Sequence, residues 1–487
     1  MKEWTLAERY RVLEDKSQIE ELYSRISRSD YRQDYHVQPI TGLSSDPNGF
    51  IYHKGQWHLF YQWCPWGAVH GLKYWYHVLS KDLIHWENKG IGLAPDTFYD
   101  NKGVHSGSGF SYDNRLYLFY TGNHRDENWV RTPYTCAAKL SDSGQVSKLP
   151  QPLFGPHPDY TEHQRDPKVV YHEEKQRYYI LLGAQSKEGK GKILIYTSKQ
   201  LLAGWTFAGE LKVPGYEDFG GMWECPSIAQ LGGSDVLVFS PQYTKLPGRN
   251  ANTNHTVYLI GRMDYDSLTF TAEGPYRCLD YGFDFYAAQF AANIQDKNKA
   301  VLTAWIGLPD NHYPTEEEEW EGSLCLPREL KICKGRLLQQ PVEQVKELRQ
   351  EKLQINQQQN LPRVCELEAV NKGTDFRLGL FTKSDGSGGL EIHYDAKNNL
   401  CLIDRSQMDQ RFNQELGEEL TLPLEAPLTY LSVFIDRCSV ELFFNQGEAT
   451  FTTHLYPISQ DSFYTVSGEL DLEIWTLKKA VKDSFIV

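Results

Sequence analysis

Between about residues 35 and 337 the chain alternates apolar and polar positions in short runs, each pair of runs broken by turn residues. GFIYHKGQWHLFYQW turns at Lys54-Gly55, FSYDNRLYLFYTG at Asp113-Asn114, and VVYHEEKQRYYILLGAQ at Glu174-Lys175. SIAQLGGSDVLVFSPQ turns at Gly232-Gly233 and FAANIQDKNKAVLTAWIG near Asp296-Lys297. Period-two alternation around such turns predicts β-hairpins. Each hairpin is preceded by an anchor, Ser45-Asp46-Pro47-Asn48-Gly49, Ser106-Gly107-Ser108, Arg165-Asp166-Pro167, Glu224-Cys225-Pro226 or Phe285-Tyr286-Ala287, and the anchors recur at a period of roughly 60 residues. Strand-built repeats of this length predict the blades of a propeller, five of them here. The all-β expectation is a five-bladed β-propeller over 31–338, followed by a β-sandwich.

The ends carry other patterns. Leu6, Tyr10 and Leu13, then Ile19, Leu22 and Ile26, recur at helical spacing among charges and predict a helical extension over 1–30. PVEQVKELRQEK reads as a short helix opened by a proline, and with the polar QINQQQNLP it forms an expected linker over 339–361. From 362 to 487 alternation returns without helical periodicity, with a tight turn at Asn445-Gln446-Gly447, as in a β-sandwich. Its expected role is support for the propeller or an oligomer contact.

Composition narrows the classes. Twelve Trp and 30 Tyr exceed the needs of a core and suit either β-rich packing or a site that stacks rings on sugar faces. A formal charge of −14 without basic runs argues against nucleic acid, and leaves room for a local positive pocket that takes an anionic small molecule. The nine cysteines lack metal-ligand spacing and a disulfide framework, as in a reducing compartment. A charged N-terminus without an apolar core segment, and apolar runs too short for a span, predict no leader and no membrane segment, hence a cytoplasmic protein.

The anchors hold the chemistry. Blades converge on an axis, so Asp46, Asp166 and Glu224 are expected to meet there although they lie far apart in sequence. Taken singly, Asp46 reads as an Asx-turn and Arg165-Asp166 as a structural ion pair. Their recurrence blade after blade favours a shared pocket of carboxylates, the equipment of glycoside hydrolysis. Glu224, between Trp223 and Cys225, is expected in aromatic, weakly polar surroundings that favour its neutral form, as a general acid needs.

In these residues the chain resembles the β-fructofuranosidases of glycoside hydrolase family thirty-two, the invertase and sucrose-6-phosphate hydrolase family. The likeness runs along essentially the whole chain, and its fold agrees with the one expected above. Asp46-Pro47-Asn48-Gly49 matches the nucleophile motif, Arg165-Asp166-Pro167 the transition-state-stabiliser motif and Glu224-Cys225 the acid/base motif. The resemblance implies substrate contacts from Ser45, Asn48, Gln62, Ser106, Arg165, Tyr286 and Trp305, and no cofactor or metal. It also implies retaining cleavage, with the two reacting carboxyls about 5–5.5 Å apart. Trp66-Gly67-Ala68-Val69-His70-Gly71-Leu72-Lys73 matches a segment of the bacterial phosphosugar branch, so sucrose 6-phosphate is the implied substrate. His70, Lys73 and Arg125 are the phosphate candidates, and a cytoplasmic place fits. Two positions depart from the pattern: Ser45 stands where the family has Asn, and His105 where it has a larger aromatic. Hydrolysis of plain sucrose or short fructans is the near alternative, and a carbohydrate-binding protein without turnover the distant one.

Overall fold

In the computed structural model, which describes residues 2–249, 251–354, 358–458 and 462–487, five sheets, antiparallel but for one short parallel pairing at Trp320–Glu321, stand around one axis. Their innermost strands are Gly42–His53, Val104–Tyr112, Tyr160–His172, Met222–Leu231 and Tyr286–Phe290. Each inner strand touches the next, and the fifth touches the first, so the ring is closed. The hairpins turn where the sequence places them. Lys54-Gly55, Asp113-Asn114 and Gly232-Gly233 all have positive φ, the conformation a two-residue hairpin loop demands.

Apolar residues fill the gaps between blades. Ile51, Phe60 and Trp75 of the first blade pack on Leu116, Leu118 and Tyr120 of the second. Phe119 and Ala137 then meet Ile180 and Leu182 of the third. The last blade ends with Arg336–Pro341.

A ten-stranded sheet makes up the C-terminal module. Its long strand Val364–Thr382 pairs through 364–370 with Tyr430–Asp436 and through 376–380 with Gly389–Asp395, with a register break between Asn371 and Phe376. One strand thus feeds two layers, which close over Leu378, Ile392, Ile403, Val433, Leu442 and Phe451 as a sandwich. Asn445, Gln446 and Gly447 all have positive φ at the expected turn.

A buried polar network joins the modules. Arg328 of the fifth blade, fully buried, donates to Asp280 at 3.0 Å and to Glu441 of the sandwich at 2.7 Å. Glu441 also accepts the Leu326 N–H at 2.8 Å and lies 3.0 Å from His36 Nε2. Loss of one partner from such a network leaves a buried charge uncompensated, at a cost of about 3–5 kcal/mol. The contact is therefore selective for one docking geometry.

Two expectations change. The N-terminal extension is not one helix: Leu6–Arg9 and Ser17–Ile26 are helical, and the chain between them is extended. Tertiary partners take its backbone groups, since the Arg9 carbonyl accepts the Leu72 N–H at 2.8 Å and the Leu13 N–H donates to Tyr74 Oη at 2.9 Å. The expected linker helix is a 3₁₀ turn, Glu343–Leu348, after which Arg349–Lys352 joins the C-terminal sheet. Burial of Val345 and Leu348 fixes the turn. Residues 355–357 of the linker lie outside the described residues.

Candidate active site

Every inner strand slips register at its anchor. The irregularities lie between Ser44 and Pro47, His105 and Gly107, Glu224 and Ser227, Tyr286 and Gln289, and opposite Leu181–Gly183 for the strand that holds Asp166. A β-bulge re-aims side chains, and proline is tolerated there because the ladder has no use for its missing N–H. Asp166, Cys225 and Ala287 adopt φ of 68°, 49° and 55° at these points. The period of the sequence returns as hydrogen bonds between adjacent inner strands. Gly107 N–H donates to Asn48 Oδ1 at 2.9 Å, Cys225 N–H to Asp166 Oδ2 at 2.9 Å, and Phe290 N–H to Ser227 Oγ at 3.2 Å.

The three carboxylates meet at the axis. Asp46 Oδ2 accepts from Ser106 Oγ at 2.5 Å and from Gln62 Nε2 at 3.3 Å. Ser45, in place of the family's Asn, donates to Gln62 Oε1 at 3.3 Å and so orients the amide that reaches Asp46. Asn48 Nδ2 donates to the Asp46 carbonyl at 2.8 Å and stiffens the turn. Burial raises the Asp46 pKa and the Glu224 charge adds to it, while Lys73 and the Ser106 hydroxyl pull the other way. Burial likewise lifts Asp166 well above the carboxylate range, against Arg165, with the charges of Glu224 and Asp46 adding to the rise.

The surroundings of Glu224 differ from those expected. Instead of aromatic and weakly polar neighbours, Arg165 Nε donates to its Oε1 at 2.8 Å and Tyr286 Oη to its Oε2 at 2.7 Å. The guanidinium comes from the preceding blade and the phenol from the next, which sequence neighbours cannot reveal. Cys225 turns its thiol away from Glu224, to 3.8 Å from Asp46 Oδ2 and 3.7 Å from Asp166 Oδ2. Burial pushes that thiol far up, so it stays protonated and serves as a weak donor.

Trp305 closes one wall. It packs with Cys225, Tyr286 and Leu308, and among the described residues its buried indole N–H has no partner. The His70 ring meets it edge-on, centroids 6.1 Å apart, and Lys73 Nζ lies 3.2 Å from His70 Nδ1. Burial, with Lys73 and Arg9 nearby, drives the His70 pKa far down, so it is neutral. Arg125 is engaged otherwise: it donates to the Trp129 carbonyl at 2.7 Å and lies over the Trp129 ring. Sequence reading missed Thr121, which accepts the Asp166 N–H at 2.9 Å and stands in no motif of its own.

Three carboxyls gathered from separate blades with polar and aromatic side chains, at the axis of a five-bladed propeller that carries a sandwich, are the equipment of a carbohydrate-active hydrolase. The chain belongs to glycosyl hydrolase family 32: the family's N-terminal domain model matches residues 36–341 and its C-terminal model residues 335–476. It is an enzyme of that family. The chain is 38% identical to the sucrose-6-phosphate hydrolase of Staphylococcus xylosus, covering 94% of each chain, and 34% identical to that of Bacillus subtilis, over 93% of this chain and 95% of the relative. Among solved structures, the sucrose-6-phosphate hydrolase of Lactobacillus gasseri superposes with a TM-score of 0.91 at 32% identity, covering 98% of this chain and 100% of that one. A Bombyx mori GH32 beta-fructofuranosidase gives 0.83 at 29% identity, covering 96% and 100%. Among the described residues no helix is long and apolar enough to cross a membrane.

Proposed function

We propose that the enzyme cleaves the β-fructofuranosyl bond of sucrose 6-phosphate, giving glucose 6-phosphate and fructose, by retaining double displacement. The observation that carries this reading is the convergence of Asp46, Asp166 and Glu224, from three blades, at the propeller axis. Likeness to relatives named for that phosphosugar, along nearly their full length, supports the substrate. A variant of the Bombyx mori enzyme, solved in complex with sucrose, supports a sugar in this fold's cleft.

In this mechanism the Asp46 carboxylate forms a bond to the anomeric carbon. The bond to the glucosyl oxygen breaks, and Glu224 delivers its proton to that oxygen. Glu224 then takes a proton from water, the water oxygen attacks the anomeric carbon, and Asp46 leaves. Asp166 and Arg165 hold ring hydroxyls as positive charge develops. Engagement of Arg165 by the sugar loosens its pairing with Glu224 and leaves that carboxyl free to serve as acid. Ser45, Asn48, Gln62 and Ser106 order the nucleophile's side of the cleft, and Tyr286 and Trp305 wall it. Because a sugar phosphate does not cross a bilayer unaided, the enzyme works in the cytoplasm, where the phosphosugar is formed.

Steady-state hydrolysis of sucrose 6-phosphate, sucrose and a short fructan, run in parallel, tests the reading. A higher kcat/KM for the phosphosugar is expected, with loss of at least about 10³-fold in Asp46→Ala. Equal rates on all three would reassign the enzyme to general β-fructofuranoside hydrolysis. Absence of turnover with sugar still bound would make it a binding protein.

A further inference from the structure

Arg131 opens the third strand of the second blade, directly opposite Arg125 at the end of the second. Its Nε donates to Asn123 Oδ1 at 2.9 Å, and Asn123 in turn donates to the Lys102 carbonyl at 2.8 Å. Lys102 and Arg125 both approach the Trp129 ring, at 5.6 and 5.2 Å from its centroid. Three cations therefore share one loop cluster. Among the described residues none of them has a carboxylate within ion-pair distance. Asp126, beside Arg125 in sequence, is used by its own turn and accepts the Asn128 and Val130 N–H groups at 2.9 and 2.8 Å.

Such a cluster is unusual in a chain of net charge −14. Burial pulls the Arg131 pKa down to about 10, with the like charges of Arg165 and Arg125 adding and those of Asp166 and Glu162 opposing. The cluster adjoins the site. Asn123, which holds both Arg131 and the Lys102 carbonyl, stands two residues along its strand from Thr121, the acceptor of the Asp166 N–H, and two residues after Lys102 the Val104 N–H donates to the Lys73 carbonyl at 2.8 Å. The three phosphate candidates of the sequence are placed differently. His70 is neutral, Lys73 bears on Asp46, and the Arg125 fork is partly spent on the Trp129 carbonyl.

We propose that Arg131 is the residue that reads the phosphate of the substrate, with Arg125 and Lys102 behind it as supporting charge. The proposal rests on the phosphosugar reading above. A guanidinium fork fixed through Nε to Asn123 keeps its terminal nitrogens for a phosphate, which it pairs in bidentate fashion. Read in this way, the phosphate governs recognition and leaves the reacting carboxylates untouched.

Kinetics of the full-length Arg131→Met and Arg131→Lys variants on sucrose 6-phosphate and sucrose test this, with inorganic phosphate as competitive inhibitor. In Arg131→Met the ratio of kcat/KM for phosphosugar to that for sucrose should fall about 10- to 100-fold, as for loss of a charge-assisted hydrogen bond. The fall should reside in KM, inhibition by phosphate should weaken, and Arg131→Lys should recover part of the ratio. An unchanged ratio, with the parent enzyme still preferring the phosphosugar, would overturn the role of Arg131 alone. An equal loss of kcat on both substrates would make Arg131 a structural residue and overturn it too. A parent enzyme with no preference would bring down the phosphosugar reading, and this inference with it.

Discussion

Ser106 and Asp46 come from neighbouring blades, and the hydroxyl of one is a direct donor to the carboxylate of the other. Burial and the Glu224 charge raise the Asp46 pKa, whereas Lys73 and Ser106 hold it down. As nucleophile Asp46 must be ionised, so kcat/KM rises with pH as that group loses its proton. Removal of the Ser106 hydroxyl takes away a stabiliser of the ionised form and raises the pKa further. The Ser106→Ala variant should thus show the acid limb of its pH–kcat/KM profile displaced to higher pH, with a rate loss of about 10- to 100-fold. A profile with its acid limb unmoved would mean that Ser106 does not set the ionisation of the nucleophile. At this scale the sequence singles out three carboxylates, because proline and turn residues flank them, and the structure brings them near one another. The sequence does not disclose who touches them. The Arg165–Glu224 pair, the Cys225 thiol facing two aspartates and the Arg131 cluster are all contacts between blades or across loops.

Among elements, the hairpins were the most legible, since alternation and turn chemistry are local. The bulges were not, because one extra residue in a strand leaves no mark on polarity. The N-terminal segment was misread as continuous helix for a related reason: its stripe of Leu6, Tyr10 and Leu13 has helical spacing, yet its backbone bonds are taken by the loop that holds His70 and Lys73. That segment straps the loop down. Arg9 Nε donates to the His70 carbonyl at 2.7 Å, Trp66 Nε1 donates to the Arg11 carbonyl at 2.7 Å, and the Tyr10 ring meets Trp129 edge-on. The approach explains both glycines of the loop. A Cβ on Gly71 would lie 2.1 Å from the Arg9 carbonyl oxygen, and one on Gly67 2.4 Å from the Trp4 ring. Gly71→Ala must push the strap away, at a cost of about 1–3 kcal/mol. Trypsin should then cut at Arg9 and Arg11 sooner than in the parent protein. An unchanged digestion course would show that the strap is not held by this contact.

On the scale of the molecule, the propeller gathers groups from separate blades and the sandwich fixes the fifth blade through the Arg328, Asp280 and Glu441 network. Both modules were visible as changes in periodicity. Their docking was not, because its polar partners lie more than 100 residues apart in sequence. In the proposed mechanism Asp46 and Glu224 work from opposite sides of the anomeric carbon in two displacements. The stereochemistry of transfer tests it most directly. Sucrose 6-phosphate is turned over in aqueous methanol and the methyl fructofuranoside formed is read by NMR, since a methyl glycoside cannot equilibrate between anomers. Two inversions predict the β anomer, formed by the parent enzyme and lost in Asp46→Ala. The α anomer would mean a single inversion, with water or methanol attacking directly, and would contradict a covalent role for Asp46.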